Sequence, residues 1–196
     1  MLNQLCLNSL GISHASKKLR KIPSQSVKKI RFLATGETFQ VHECVAGSTV
    51  VAVKRLQLHD RLDESSPEYF PQRLQAVVRE IVIMSRPPVI HHPNIVSLQG
   101  YGWRTEGQRV SPFIALEFAQ HGTLRQFFPP SIRRLRTSVV KLALLGDVAL
   151  GLAALHRSGI VHGDLKLDNI LVFPSPPRSA QEKSLQKFLI SATRYL

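Results

Sequence analysis

A carboxylate, an ammonium and an amide stand close together in the last quarter of the chain. Asp164, Lys166 and Asn169 lie in the run 161–171, which reads Val-His-Gly-Asp-Leu-Lys-Leu-Asp-Asn-Ile-Leu. A carboxylate can accept a proton, an ammonium can offset negative charge, and an amide oxygen suits a hard cation such as magnesium. In an arbitrary protein the same side chains are mostly solvated turn residues, so the run alone does not decide a function.

A second pair of charged residues lies far upstream. Lys54 ends the β-prone run Val51-Ala52-Val53-Lys54. Glu80 lies in a stretch where apolar residues recur at helical spacing, namely Leu74, Val77, Val78 and Ile81. Taken singly, a lysine at the end of a strand and a glutamate on a helix are ordinary surface residues. These two residues therefore indicate a function only in combination with the run 161–171.

In combination, five segments resemble a eukaryotic-type protein kinase. The run 161–171 resembles the catalytic loop H-R-D-x-x-x-x-N, and Val51–Lys54 resembles the V-A-I-K strand, with Glu80 on the helix that follows. Residues 92–98, His-Pro-Asn-Ile-Val-Ser-Leu, resemble the turn and strand after that helix, and residues 114–124 resemble the hinge between the lobes. The segments follow the family's order over residues 30–173. Membership of the family explains this order better than five separate chance matches would.

The resemblance implies a nucleotide site and a catalytic group. Asp164 would accept or orient the proton of the attacking hydroxyl, and Lys166 would offset charge on the transferring phosphoryl group. Asn169 would hold magnesium, while Lys54 would contact the α- and β-phosphates and pair with Glu80. The other residues expected to bind ATP are Gly36, Val41, Ala52, Leu116, Glu117, Ala119 and Leu171. The expected cofactors are ATP and Mg²⁺, and the expected substrate is a serine or threonine hydroxyl of a protein.

The elements that must position these groups indicate an α+β fold. Phe39–Val45 and Ser48–Leu56 predict two strands joined by a turn at Ala46-Gly47, and Asn94–Leu98 and Phe113–Phe118 predict two more. Helical periodicity predicts a helix from Pro71, at its first position, to Ser85. We therefore expect a protein-kinase-like fold with an N-terminal antiparallel β lobe carrying one helix, and an incomplete helical C-terminal lobe.

A longer helix is predicted from Thr137 to Ser158, with Gly159 as its C-terminal cap. It is apolar almost all round, which is typical of a buried helix. The helices that complete the larger lobe of the family do not follow in the sequence, so we also expect this helix to keep an uncovered apolar surface and the chain to have poor solubility.

The phosphate-binding loop departs from the family pattern. Residues 33–41, Leu-Ala-Thr-Gly-Glu-Thr-Phe-Gln-Val, align with L-G-x-G-x-F-G-x-V, and only Gly36 remains of three glycines. Ala34 and Phe39 should restrict the approach of phosphate to the backbone, and Glu37 adds a repelling charge. The arginine of H-R-D is Gly163, which suggests control that does not use a phosphorylated activation loop.

The end of the chain also departs from the family. We expect a basic, disordered lead over residues 1–29, a partial kinase domain over 30–173 (first lobe to about 118, second lobe from 119), and a Pro-rich tail over 174–196. No Asp-Phe-Gly or Ala-Pro-Glu follows the catalytic loop, so we expect this chain to lack activity.

Read from the third base of each codon, residues 187–194 can encode Ile-Ser-Asp-Phe-Gly-Tyr-Ser. A shifted reading frame is therefore a hypothesis for the tail, and the nucleotide sequence tests it.

Composition bounds the remaining possibilities. The 196 residues carry a formal net charge of +13, which favours anionic partners such as nucleotide. Two cysteines and no metal-ligand spacing indicate a reducing compartment, cytoplasmic or nuclear. We expect neither a signal peptide nor a membrane span, although the basic, acid-free start leaves a mitochondrial presequence open.

Three other functions stay open. A pseudokinase that binds a partner fits the degraded phosphate loop. His162-Gly163-Asp164 also resembles the H-G-D loop of small-molecule kinases that modify aminoglycosides and choline, although Lys166 favours a protein kinase. Nucleic-acid binding rests only on basic clusters without aromatic interleaving, so no specific nucleic-acid partner is expected.

Overall fold

The chain divides into two units of different architecture. The computed structural model describes residues 19–36, 38–57, 69–106, 109–129, 138–174, 184–188 and 194–195. One unit comprises Met1–Arg86 and Leu98–Phe118, and the other comprises Pro87–Ser97 and Ala119–Leu196. In the described part of the first unit, strand residues outnumber helical residues. In the described part of the second unit, helical residues outnumber strand residues. The predicted α+β class is therefore confirmed.

The first unit is a five-stranded antiparallel sheet with a helix packed on it. The strands are β1 (Val27–Thr35), β2 (Phe39–Ala46), β3 (Thr49–Leu56), β4 (Leu98–Glu106) and β5 (Arg109–Glu117), in the spatial order β1-β2-β3-β5-β4. Helix α1 (Tyr69–Met84) packs against β3 and β5. This is the N-terminal lobe that the sequence predicts.

The hairpin of β2 and β3 agrees closely with its prediction. Both strands match the expected ranges to within one residue at each end, and Ala46 pairs with Thr49 across the turn. Val41 lies opposite Lys54 in this register, and Ala52 lies opposite Leu116 of β5. Since alternate residues of a strand share a face, Ala52 and Lys54 lie on the same face of the sheet.

Three expectations about element boundaries are wrong, the first being that of β5, expected over Phe113–Phe118 and observed over Arg109–Glu117. Helix α1 begins at Tyr69, so Pro71 is its third residue, where its missing N–H is still harmless in the first turn. The strand expected over Asn94–Leu98 includes only Leu98, because the observed β4 runs from Leu98 to Glu106. The glycines within β4 lower its β propensity, which hides the strand from a sequence pattern.

The segment that we name the N-terminal strap, residues 20–22, pairs with β4. Ile22 N–H donates to the Tyr101 carbonyl at 2.8 Å, and Tyr101 N–H donates to the Arg20 carbonyl at 3.1 Å. A Cβ at Gly100 or Gly102 would collide with the backbone oxygen of Arg20 or Ile22, so both glycines permit this close approach. The strap and the first residues of β1 lie within the segment proposed as a lead, 1–29.

Ile22 anchors the strap in an apolar core. Its side chain is 5% exposed and belongs to a cluster on the sheet face opposite Lys54. The other members of this cluster are Cys44, Val51, Val53, Phe113 and Ala115. Val51 and Val53 alternate with Ala52 and Lys54 along β3, so the strap side chain packs behind the strand that carries the lysine.

The second unit contains two α-helices among its described residues. They are α2 (Leu124–Phe127) and α3 (Ser138–Arg157), and the strands are β6 (Ile160–Val161), β7 (Ile170–Pro174), β8 (Ser184–Phe188) and β9 (Arg194–Tyr195). β6 pairs with β9 and β7 with β8, both antiparallel. Part of the tail proposed over 174–196 therefore forms backbone pairs with β6 and β7.

Helix α3 confirms the predicted helix and corrects its expected burial. Gly159 has a φ of 70° and donates to the His156 carbonyl, as a left-handed C-terminal cap does. Leu144 and Val148 pack in a core cluster with Leu124, Ile170 and Val172. Four large apolar side chains among the described ones of α3 are instead exposed, namely Val139 (74%), Leu142 (67%), Leu145 (62%) and Leu150 (58%). The prediction that α3 is buried on all sides is wrong, whereas the predicted uncovered apolar surface of this helix is present.

A helix that crosses a bilayer must be long and continuously apolar. Of the helices that the structure describes, none is long and apolar enough to span a membrane.

Candidate active site

The first unit contains a buried ion pair between the two charged residues singled out in its sequence. Lys54 Nζ donates to Glu80 Oε1 at 2.7 Å and to Oε2 at 2.9 Å. The side chains are 6% and 1% exposed. β3 presents Lys54 toward α1 and α1 presents Glu80 toward β3, so the predicted ion pair is present.

Burial dominates the electrostatics of this pair. Desolvation raises the pKa of Glu80 above its ordinary value, and the charge and hydrogen bonds of Lys54 oppose that rise. A buried pair of this kind is often no more stabilising than apolar side chains of the same shape, while loss of one partner costs about 3–5 kcal/mol. Stability alone therefore gives little reason for a charged pair here, which makes it a candidate functional group.

Val41, Ala52 and Leu116 lie on the Lys54 face of the sheet, whereas Glu117 pairs with Val51 on the other face and Gly36 lies in the loop between β1 and β2. Ala52 (9% exposed) lies opposite Leu116 (1%) across β3 and β5. Val41 of β2 is partly buried, and Glu117 ends β5 opposite Val51. Gly36 lies between β1 and β2, where its N–H donates to the Phe39 carbonyl at 2.8 Å.

Phe39 contributes a contact whose partner the sequence does not reveal. The Lys54 ammonium lies 4.6 Å from the centre of the Phe39 ring, within the range of a cation–π interaction. Phe39 stands two residues before Val41 on the same face of β2, diagonal to Lys54. The residue that replaces a loop glycine thus packs directly on the lysine.

In the second unit, Lys166 and Asn169 converge on Asp164. Lys166 Nζ lies 2.9 Å from Asp164 Oδ2, and Asn169 Nδ2 donates to the same oxygen at 2.9 Å and to the Asp164 carbonyl at 2.8 Å. The hydrogen bond from Lys166, followed by that from Asn169, lowers the pKa of the Asp164 carboxyl. A carboxylate with a lowered pKa is ionised at neutral pH and can accept a hydrogen bond from a hydroxyl.

The loop backbone explains part of this geometry. Gly163 has a φ of 68°, in the left-handed region that favours glycine over the arginine of the family motif. The Asp164 N–H lies 3.3 Å from Nδ1 of His162, which is 2% exposed and anchors the loop in the interior. Asn169 ends a 3₁₀ turn, Leu167–Asn169, that leads directly into β7.

An ion pair beside the loop escaped the sequence analysis. Arg125 Nε donates to Asp168 Oδ1 at 2.8 Å and to Oδ2 at 2.9 Å, which lowers the pKa of the Asp168 carboxyl. Arg125 lies on α2, whose start is marked by a capping box of Thr123 and Gln126. That Thr-x-x-Gln spacing is readable in the sequence, whereas the partner of Arg125 is 43 positions away.

The two remaining predicted residues lie near each other in the second unit. Gly122 N–H donates to the Ala119 carbonyl at 3.1 Å, and the Gly122 carbonyl accepts from Val172 N–H at 2.9 Å. Leu171 forms a β-bridge with Thr123. The turn that starts at Ala119 is thereby fastened to β7, which carries Leu171.

The donor set of the second unit fits magnesium only in part. Asp164 and Asn169 offer carboxylate and amide oxygens, the ligand type that Mg²⁺ prefers. Among the described residues no group of three or more acidic, histidine or cysteine side chains could hold a metal ion. This fits an ion that takes several ligands from phosphate or water, as Mg²⁺ commonly does in nucleotide sites.

Comparison with known proteins agrees with this geometry. The chain is 29% identical over 147 residues to the serine/threonine-protein kinase SSK22 of Saccharomyces cerevisiae, covering 74% of this chain and 10% of SSK22. It is 31% identical over 147 residues to the MAP kinase kinase kinase SSK2 of the same yeast (74% and 8%) and 33% identical over 109 residues to the inhibitor of nuclear factor kappa-B kinase subunit beta of Bos taurus (54% and 14%). The chain thus spans about a tenth of the length of such relatives.

The family model of the protein kinase domain matches residues 27–177, which include every residue proposed for the site. This match covers most of the chain, and it supports the expected fold as an incomplete protein-kinase-like fold. The chain therefore belongs to the eukaryotic-type protein kinase family.

Proposed function

We propose that this kinase domain binds ATP with magnesium and is built to transfer the γ-phosphate to serine or threonine hydroxyls of a protein. The observation that carries the proposal is the convergence of Lys166 and Asn169 on the ionised carboxylate of Asp164. Phosphoryl transfer depends mainly on positioning and on charge stabilisation, and this cluster offers both.

Each residue has a distinct role in this proposal. Asp164 orients the substrate hydroxyl and accepts its proton, because its lowered pKa keeps it ionised. Lys166 offsets negative charge near the transferring group. Lys54, held by Glu80, contacts the nucleotide phosphates. In the family pattern Val41 and Ala52 would cover adenine from one side and Leu171 would support it from the other. Leu116 would lie at the gate behind the hinge, and the Glu117 and Ala119 backbones would meet the adenine edge.

ATP and magnesium would supply the phosphoryl group and a metal ion that offsets the charge on it. Asn169 would be a magnesium ligand through its amide oxygen, since its amide nitrogen is already bound to Asp164. Gly36 would face the phosphates from the loop between β1 and β2, where it is the one glycine left of the family pattern.

Nucleotide binding tests the proposal directly. We expect Mg–ATP to raise the melting temperature of the purified 196-residue chain, because a ligand of the native state stabilises it. Lys54→Met should abolish the rise, whereas Lys28→Met, which removes an exposed lysine of β1, should retain it. A rise that survives Lys54→Met would contradict the assignment of Lys54 to the phosphates.

Phosphoryl transfer by this 196-residue polypeptide is not expected. Its sequence holds no Asp-Phe-Gly, whose aspartate binds magnesium in the family. Incorporation of ³²P into a protein substrate should stay at the background of an Asp164→Ala chain. Robust incorporation that disappears in Asp164→Ala would disprove the inactivity and establish the kinase reaction.

A pseudokinase that serves as a binding scaffold is the second candidate, and one observation favours it. Phe39 replaces a loop glycine and packs on Lys54, which hinders the approach of phosphate. ATP binding with the same affinity in EDTA as in magnesium would support this second candidate, because phosphoryl transfer requires the metal ion.

A further inference from the structure

The Lys54 ammonium is enclosed on the side of Phe39 as well as on that of Glu80. An ammonium has three N–H donors. Two of them bind the carboxylate oxygens of Glu80 at 2.7 and 2.9 Å, and the ring of Phe39 lies 4.6 Å from the nitrogen. Lys54 is 5% exposed. The ammonium is therefore almost inaccessible to solvent.

A phosphate oxygen must therefore displace one of these contacts to reach Lys54. Glu80 holds the ammonium by two charge-assisted hydrogen bonds, which are stronger than a contact with an aromatic ring. The ring is consequently the contact that yields. It also offers phosphate no hydrogen-bond donor in exchange.

The backbone on either side of the Phe39 side chain is held by hydrogen bonds. The Phe39 carbonyl accepts from Gly36 N–H at 2.8 Å, and the neighbouring Thr38 carbonyl accepts from Gln57 N–H at 2.8 Å. Phe39 also pairs with Leu56 at the start of the β2–β3 ladder. Displacement of the ring thus needs a change of side-chain rotamer and no rearrangement of the loop.

We propose that Phe39 is a side-chain gate that competes with nucleotide phosphate for Lys54 and so sets the nucleotide affinity of this chain. The proposal rests on the function proposed above for Lys54. In the closed state the ring covers the ammonium, and in the nucleotide-bound state the ring has turned away. Because binding must open the gate, the measured association constant is the intrinsic association constant multiplied by the fraction of molecules whose gate is open.

Substitution of Phe39 tests the gate by affinity. A desolvated cation–π contact is worth about 2 kcal/mol, which corresponds to a factor on the order of 30. We expect Phe39→Ala to bind Mg–ATP and Mg–tripolyphosphate about 10- to 30-fold more tightly in calorimetry. Phe39→Tyr, which retains the ring, and Phe32→Ala, which removes a phenylalanine 53% exposed on β1, should stay near the parent affinity.

A second measurement follows the gate without nucleotide. Acetylation of Lys54 by acetic anhydride, quantified by mass spectrometry, should be several-fold faster in Phe39→Ala than in the parent chain, and unchanged in Phe32→Ala. An unchanged labelling rate and an unchanged ATP affinity in Phe39→Ala would overturn the gate while the nucleotide role of Lys54 stands. Faster labelling in a chain whose variants all fail to bind ATP would overturn the role of Lys54, and the gate with it.

Discussion

At the scale of single residues, the first unit has buried titratable groups on both faces of its sheet. One face carries an ion pair, and the other carries a histidine whose neutral form is favoured. Glu80 keeps Lys54 in place at an electrostatic cost that apolar side chains would not carry. His42, on the opposite face of the sheet, is 3% exposed and contacts the edge of Phe32. Both sites make stability depend on protonation, and His42 does so near neutral pH.

We predict that His42 makes the first unit less stable in mild acid. Burial, and then the charges of Lys29, Arg55 and Arg104, lower the pKa of His42 below its ordinary 6.5. A base with a lowered folded pKa contributes stability that is present above pH 6.5 and is lost as the pH falls through its folded pKa. The melting temperature of the parent chain should therefore fall between pH 7 and pH 5.

Variants identify the group responsible for that loss. His42→Gln removes the titrating group and should flatten the pH dependence, although it lowers the melting temperature at pH 7. His156→Gln, which replaces an exposed histidine at the end of α3, should leave the parent profile unchanged. Equal slopes for the parent chain and His42→Gln would contradict the prediction.

At the scale of elements, the N-terminal strap extends the sheet beyond the five strands. Its two backbone hydrogen bonds join the free edge of β4, and Ile22 completes the core behind β3. Covering a sheet edge also protects its unpaired backbone groups from other chains. The strap lies outside the residues matched by the family model, which begin at residue 27.

We predict that Ile22→Asp strongly destabilises the first unit. A carboxylate in the apolar cluster of Val51, Val53 and Phe113 has no partner, and such burial costs several kcal/mol. Ile30→Asp makes the same change at a side chain that is 52% exposed on β1, and we expect a change within about 0.5 kcal/mol. Urea denaturation measures both. A loss at Ile30 as large as that at Ile22 would show that the strap is not part of the core.

At the scale of the whole molecule, one face of α3 dominates the expected behaviour in solution. Its four exposed apolar side chains form a stripe at helical spacing on the side away from Leu144 and Val148. Contiguous exposed apolar surface of this kind drives association of chains in water. The charge of +13 opposes association at low ionic strength and does so less as salt screens it.

We therefore predict that the chain self-associates through this stripe. The double variant Leu142→Gln/Leu145→Gln should shift sedimentation toward the monomer at 0.15 M salt with little loss of stability, because both side chains are already exposed. Leu144→Gln, one position along the helix, should instead unfold the unit, since Leu144 is 4% exposed. A parent chain that sediments as a monomer would contradict the prediction.

The sequence by itself determined the features that local pattern encodes. Alternation and a turn glycine predicted β2 and β3, and apolar composition with a following glycine predicted α3 and its cap. The run 161–171 brought a carboxylate, an ammonium and an amide within a few residues of one another, and the family resemblance supplied their expected roles. Lys54 and Glu80 were identified as a pair from the family pattern, and the structure joins them.

The tertiary structure alone decided the contacts between residues that are distant in sequence. Arg125 meets Asp168, Ile22 fills the core behind β3, and the ring of Phe39 lies against Lys54. Burial of α3 was misjudged for the same reason, since apolar composition shows which side chains could be buried and not which neighbours are present to cover them. No local period encodes such contacts, because they arise only when strands and helices pack in three dimensions.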